Sequence, residues 1–160
     1  MLRFKTGAFV VAAALTAAAG AVAVAQGGHT AMNTSEMKWG PSPPALPPGA
    51  EAAILDGDPA KAGEPFTVRL KFPDGYKVPP HWHPTDERVV VISGTLMLGI
   101  GEKAEMSKMH TLTAGAFAKM PKEVRHYAAA KGATVIQVYG TGPFEVNYVN
   151  PNDDPRKKSQ

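Results

Sequence analysis

Two histidines and a glutamate lie close together in the stretch His81-Trp82-His83-Pro84-Thr85-Asp86-Glu87. In a β-strand, side chains two residues apart point to the same face, so His81 and His83 can present both imidazoles to one point. Pro84 favours a turn, after which Glu87 can return a carboxylate to the same side. Two imidazoles and a carboxylate on one face, with further positions open, are a typical ligand set for a divalent transition metal.

A third imidazole, His126, follows in the distant stretch 121–127. A closed β-barrel would bring it to the same metal ion. The alternative is that these residues are ordinary ones, because a His-x-His pair in an arbitrary β protein is more often a surface or structural feature than a metal site. The spacing of Glu87, the flanking glycines Gly75 and Gly94 and the third histidine, His126, together favour the metal site.

Short β-type runs separated by turn signals fill residues 50–149. Residues 66–72 alternate apolar and polar side chains with a period of two, as expected for a half-buried strand. Residues 88–92 and 95–100 flank Ser93-Gly94, which predicts a hairpin corner. About eight or nine closely spaced strands with little helix predict an all-β fold, either a small antiparallel β-barrel or a double-sheet jelly roll.

The composition narrows the chemistry. A length of 160 residues suits one domain, and 15 prolines and 16 glycines argue against helical bundles and coiled coils. The chain has no cysteine, which excludes disulfide scaffolds, cysteine-ligated zinc, iron–sulfur clusters and thiol nucleophiles. Histidine and carboxylate side chains are therefore the expected metal ligands.

The first 25 residues have the pattern of a secretory signal peptide. Arg3 and Lys5 precede 18 uncharged residues, which end in Ala23-Val24-Ala25. This small-x-small ending predicts cleavage after Ala25 and a periplasmic or secreted protein without stable membrane insertion. A retained membrane anchor is the alternative, since 18 residues is near the lower limit for spanning a bilayer.

The rest of the chain divides into three predicted parts. Residues 26–49 are a flexible, Pro-rich leader or linker, residues 50–149 form the β-barrel, and residues 150–160 are a charged tail. Two of the positive charges behind the formal net charge of +3 lie in the predicted signal peptide, and removal of residues 1–25 leaves 15 basic against 14 acidic residues. No basic patch indicates nucleic-acid binding.

A known family is recognisable in the two histidine stretches. The pattern Gly75-x5-His81-x-His83-x3-Glu87-x6-Gly94 resembles the first cupin motif at every defining position and spacing. Gly115-x5-Pro121-x4-His126 resembles the second motif, with two departures. Glu123 stands where the family usually has glycine, and Ala130 stands where it often has asparagine.

The resemblance covers residues 50–149 and implies the cupin jelly roll, with four metal ligands inside the barrel: His81, His83, Glu87 and His126. The chain is most similar to small exported single-domain bacterial cupins. Three nitrogen donors and one oxygen donor suit one divalent transition metal, and Fe, Mn, Ni, Cu, Co and Zn all remain open. On an octahedral metal, four protein ligands leave two positions for water, dioxygen or a chelating substrate.

Strand parity indicates what surrounds the metal. Residues two away from His126 share its face, neighbouring leucines supply apolar walls, and another strand supplies polar contacts. We expect a small, mostly apolar cavity that takes a small molecule. The candidate pocket residues are Val124, Ala128, Leu96, Leu98, Gln137 and Tyr139. No catalytic residue can be assigned.

An open metal in an apolar pocket favours an enzyme, namely a metal-dependent oxygenase of the dioxygenase type that acts on an unidentified small organic molecule. Two alternatives stay open. A cupin isomerase, lyase or decarboxylase would turn over without dioxygen. A non-enzymatic protein that binds a metal or a small ligand is favoured by the lack of an obvious inward acid–base residue. A homodimer is expected by analogy, because small antiparallel barrels have sheet edges to protect.

Overall fold

The computed structural model describes residues 29–157, where nine strands pair antiparallel and helix is limited to 3-10 turns. The predicted all-β fold is therefore confirmed. The predicted signal peptide, residues 1–25, lies outside the described residues. Between residues 29 and 157, no helix is long and apolar enough to cross a membrane. The strands are β1 (Gly40–Pro41), β2 (Glu51–Asp56), β3 (Pro65–Phe72), β4 (Lys77–Trp82), β5 (Glu87–Ile100), β6 (His110–Thr113), β7 (Phe117–Met120), β8 (His126–Thr141) and β9 (Asn147–Tyr148), and the 3-10 turns are Thr34–Glu36, Met106–Lys108, Pro151–Asp153 and Pro155–Lys157.

Two long strands, β5 and β8, connect the two sheets of the fold. They pair with each other along most of their lengths, from Arg88 opposite Tyr139 to Ile100 opposite His126. The register shifts around Ser93, in the middle of β5. A bend of this kind lets one strand belong to two sheets.

Each half of these strands has its own neighbours. The first sheet has the order β1-β2-β3-β8-β5-β7, and the second has the order β9-β4-β8-β5-β6. Apolar side chains from both sheets meet in one core, as alternate residues of each strand point inward. The core includes Phe66, Phe72, Tyr76, Val78, Val89, Val91, Leu96, Leu98, Met120, Ile136 and Val138.

The predicted hairpin corner at Ser93-Gly94 is wrong. Residues 88–92 and 95–100 do not pair with each other, because both are successive halves of β5 that pair with β8. Gly94 instead marks the bend, with φ at +78°. A Cβ atom at this position would lie 2.3 Å from the carbonyl oxygen of Ala133. A glycine between two apolar runs is compatible with a reversal or with a bend, and local sequence does not separate the two.

Part of the Pro-rich leader lies on the barrel. Residues 38–46, which we call the strap, are attached to it at several points. Gly40 pairs with Ala52 of β2, the Ser42 N–H donates to the Ala50 carbonyl at 3.2 Å, and the Tyr148 hydroxyl donates to the Ala45 carbonyl at 2.7 Å. The sequence predicts a flexible leader or linker over residues 26–49, and the strap is the part of it that is bonded to the barrel. Proline rings lack N–H groups, so the strap needs few such bonds to satisfy its backbone.

Replacement of Gly94 by alanine is expected to lower the free energy of unfolding by about 3 kcal/mol. The left-handed conformation costs about 1–2 kcal/mol for a residue with a Cβ atom, and the contact with the Ala133 oxygen adds overpacking strain. Urea denaturation measures the loss. Gly132→Ala is the matched control, because Gly132 has φ +76° but its Cβ atom would have nothing within 4 Å. An equal loss in both variants would contradict the role of the close contact.

Candidate metal centre

The four predicted metal ligands meet at one end of the barrel. His81 on β4 and His126 at the start of β8 are direct cross-strand partners, so their side chains lie side by side on the inner face. His83 follows the end of β4, and Glu87 is the first residue of β5. All four side chains are buried.

The distances are short enough for a single ion. One ligand atom from each of His81, His83 and His126 lies within 4.8 Å of the others. The Oε2 atom of Glu87 is 3.2 Å from Nε2 of His126 and 3.7 Å from Nε2 of His83. These three buried histidines can hold a metal ion, with a carboxylate beside them.

Backbone carbonyls fix the orientation of each ring. The Nδ1 atoms of His81, His83 and His126 lie 2.7, 2.6 and 2.9 Å from the carbonyl oxygens of Pro79, Glu145 and Val124, respectively. Because a carbonyl oxygen only accepts, each Nδ1 carries the proton, and in the neutral ring Nε2 keeps its lone pair. This is the arrangement that metal-binding histidines usually show.

Two buried atoms in the centre lack an ordinary partner. The Nε2 atoms of His83 and His126 are inaccessible to solvent and make no hydrogen bond. A lone pair on Nε2 of His126 also faces the carboxylate of Glu87 at 3.2 Å, and two such atoms repel unless a proton or a cation lies between them. A buried unsatisfied group costs about 1–3 kcal/mol. The residues present therefore fit a bound metal ion.

The protonation states also suit a metal. Burial lowers the pKa of His81 to about 3, and the neighbouring histidines act in the same direction. Burial likewise lowers the pKa of His83. Burial opposes a charge on His126, but the carboxylate of Glu87 raises the pKa of that ring. Burial would raise the pKa of Glu87, but His126 and the other two rings hold it below its ordinary value. At neutral pH, Glu87 is a carboxylate and His81 and His83 are neutral.

The centre opens into a cavity of about 650 Å³ with mostly apolar walls. Among residues 29–157, its only ionisable lining residues are the four residues of the centre and Lys38 of the strap. Phe144 stacks on the His83 ring with 4.1 Å between the ring centroids. The wall is therefore hydrocarbon nearly everywhere except at the centre.

The predicted pocket residues divide into two groups. Leu96, Leu98 and Ala128 line the cavity. The other three, Val124, Gln137 and Tyr139, do not line it.

Local geometry explains the three residues outside the cavity. Val124 precedes β8 and belongs to a turn, with its N–H donating to the Pro121 carbonyl, so strand parity does not apply to it. On β8 the inward positions are Ile136 and Val138, which places the odd-numbered Gln137 and Tyr139 on the other face. The Gln137 side chain accepts a bond from Arg69 there.

Other cavity residues were missed by sequence reasoning. Extending the parity of His126 along the whole of β8 would have found Ile136 and Val138. No local signal indicated Phe144 or the strap, because neither lies on a regular strand of the core.

The turn before His126 contains an unusual backbone conformation. Glu123 has φ +64° and is the one non-glycine residue with positive φ among residues 29–157. Its N–H donates to the His83 carbonyl at 2.8 Å, which links this turn to the other ligand segment. This is the position where the second cupin motif usually has glycine.

The antiparallel double-sheet arrangement is the cupin fold, and the expected resemblance to cupins is confirmed. Residues 60–158 match the family described as a domain of unknown function, DUF4437, which is a cupin-like domain. The chain therefore belongs to the DUF4437 family. No curated protein matches its sequence.

Solved structures with the same fold share little sequence with this chain. The polyketide cyclase RemF from Streptomyces resistomycificus is 15% identical, with a TM-score of 0.61 over 82% of this chain and 93% of that one. An RmlC-like cupin from Shewanella frigidimarina is 16% identical, with a TM-score of 0.54 over 70% and 90%. KdgF from Halomonas sp. is 20% identical, with a TM-score of 0.52 over 69% and 91%. These likenesses identify the fold.

Replacement of His81 or His126 by alanine is expected to weaken binding of a divalent transition metal by more than about 100-fold, because each change removes a donor that no neighbour replaces. Calorimetric titration of the apoprotein with Zn²⁺ or Co²⁺ measures the affinity, and elemental analysis gives the stoichiometry, expected to be one ion per chain. His110→Ala is the matched control, since His110 is exposed on β6. A comparable loss in His110→Ala would rule out a metal site at this cluster.

Proposed function

We propose that His81, His83, Glu87 and His126 hold one divalent transition metal ion and that the chain is a metal-dependent oxygenase. Its substrate is a small, largely apolar organic molecule. One observation carries the proposal: beyond the four residues of the centre, the described part of the chain gives the cavity no ionisable side chain except Lys38. General acid–base catalysis needs a positioned titratable group, so the reactivity has to come from the centre itself.

The donor set supports this assignment. Three imidazoles and one carboxylate suit Fe, Mn, Co, Ni, Cu or Zn. A redox-active ion bound there would supply a path for electrons from the substrate to dioxygen, which imidazole and alkyl side chains do not provide. The negative charge of Glu87 offsets part of the charge of the ion in an otherwise apolar environment.

The chain's own residues would bind and orient the substrate. The walls around the centre, among them Val89, Leu96 and Phe144, exclude water and strengthen electrostatic interactions within the cavity. The carbonyls that bind Nδ1 of each histidine hold the rings in place, so the donors need no rearrangement on binding. A substrate can contact few polar groups here other than the centre.

Two other functions remain candidates. RemF, which shares the fold, is a polyketide cyclase, and this supports a cupin enzyme that uses no dioxygen, such as an isomerase, lyase or decarboxylase. The scarcity of acid–base groups in the cavity supports a protein that binds a metal or small ligand without turnover.

Dioxygen consumption tests the proposal. The protein loaded with Fe²⁺, Mn²⁺, Co²⁺, Ni²⁺ or Cu²⁺ is expected to consume dioxygen in the presence of apolar catechols and enols, with at least one of these metals. The Zn²⁺-loaded protein and the double variant His81→Ala/His83→Ala are expected to be inactive, because the first has no redox chemistry and the second has lost two donors. An oxygen electrode and product analysis provide the readout.

Two outcomes would count against an oxygenase. Substrate turnover under argon at the rate seen in air would assign a non-oxidative enzyme. Binding of the same compounds without turnover by any metal form would assign a binding protein.

We also propose that the protein is exported, with cleavage after Ala25, on the pattern of residues 1–25. The full chain, expressed in a Gram-negative bacterium, is expected to appear in the periplasm or medium with Gln26 as its first residue, measured by mass spectrometry. The variant Ala23→Arg/Ala25→Arg is the control and should remain unprocessed. A wild-type protein that keeps residues 1–25 at the membrane would indicate an anchor. The homodimer stays a prediction.

A further inference from the structure

The strap forms one wall of the cavity. All nine of its residues, 38–46, line the same cavity as the candidate metal centre. The match to the DUF4437 family begins at residue 60, so the strap lies outside the matched region. A wall of the candidate binding site is thus contributed by a segment that the family domain does not include.

The strap is held in place by the barrel. In addition to the bonds to β2 and Tyr148 described above, the Tyr76 hydroxyl donates to the carbonyl of Pro47, the residue that follows the strap. The ammonium group of Lys71 lies 3.7 Å from the ring centroid of Trp39. Leu46 packs against the hydrophobic core. The strap is therefore a fixed part of the cavity wall.

One of these attachments touches the candidate metal centre. Tyr148, whose hydroxyl binds the strap at Ala45, is the cross-strand partner of His81. The ring centroids of Tyr148 and His81 are 6.1 Å apart. Tyr148 binds the strap and lies next to His81 of the centre. The distance between the strap and the centre is therefore fixed.

Facing the strap, the inner surface of β2 and β3 is left partly open. Ile54 lines the cavity although it is 62% exposed, and Val68 and Leu70 are only half-buried. Ile54 and Val68 are strand partners, so they form a continuous apolar surface with Leu70. Binding of an apolar molecule against this surface is favourable, because it removes exposed apolar area from water.

We propose that the strap and the apolar inner surface of β2 and β3 bind the apolar body of the substrate, while an oxygen donor at its other end reaches the metal centre. This inference rests on the proposed function for the position of the metal. The substrate class is an organic molecule with an oxygen donor at one end and a hydrocarbon body at the other. Leu46 and Ile54 determine the length and shape of the body that fits.

A series of 4-alkylcatechols, from methyl to pentyl, tests this assignment. Calorimetry on the Zn²⁺-loaded protein under argon measures affinity without turnover. In the wild-type protein, each added methylene is expected to raise affinity about threefold to fourfold. In the variant Leu46→Ala this increment is expected to fall below about twofold, so the affinity for 4-pentylcatechol falls more than the affinity for unsubstituted catechol.

Two further variants complete the test. Met37→Ala lies next to the strap but outside this cavity and should keep the wild-type increment. Ile54→Ser should lower the increment. Because the Ile54 side chain is exposed, this substitution should not affect folding. An increment in both strap and Ile54 variants equal to that of the wild type, or no increment in the wild type, would overturn the inference.

The inference and the proposed function fail in different ways. If the increment depends on the strap but no metal form consumes dioxygen, the proposed function fails and the binding wall stands. If dioxygen is consumed but the increment does not depend on the strap, only the inference fails. The variant His81→Ala/His83→Ala should lose affinity for catechol itself and keep the increment, which separates the contribution of the head from that of the body.

Discussion

Three hydrogen bonds from imidazole Nδ1 atoms to backbone carbonyl oxygens hold the centre in place. Each bond assigns the proton to Nδ1 and turns Nε2 toward the other two rings. For His81 and His126, the carbonyl belongs to the residue two positions earlier, so local chain conformation orients the ring. For His83, the carbonyl of Glu145 comes from the segment after β8. The donor set therefore depends on main-chain atoms, which a side-chain substitution nearby does not remove.

Burial of this set has an energetic cost that the rest of the barrel must offset. Two Nε2 atoms without a partner and a carboxylate sit in a wall that is otherwise hydrocarbon. Such groups reduce stability unless a ligand satisfies them. The core formed by both sheets, with Phe66, Leu96 and Val138 almost fully buried, is what makes this arrangement tolerable. The cavity therefore has polar donors at one end and apolar walls elsewhere.

The fold class and the cluster of histidines were predictable because they follow from periods of two and from the spacing of two short motifs. His81 and His126 were expected to meet, and they are strand partners. The bend at Gly94 was not predictable, because a glycine between apolar runs fits a hairpin equally well. Gln137 and Tyr139 were misplaced because β8 was not foreseen as one strand from His126 to Thr141. The strap was not predicted to line the cavity, because a proline-rich segment has no alternation of apolar and polar residues that would indicate an inward face.

Glu123 shows what one position of the second cupin motif encodes. The backbone there is left-handed, and its N–H binds the carbonyl of His83, although the residue is not the usual glycine. The feature retained is thus a torsion angle and a bond to the segment of a neighbouring ligand, and glycine is the residue that adopts that angle most easily. Comparison of residue identities counts this position as a departure from the family, whereas comparison of torsion angles counts it as agreement.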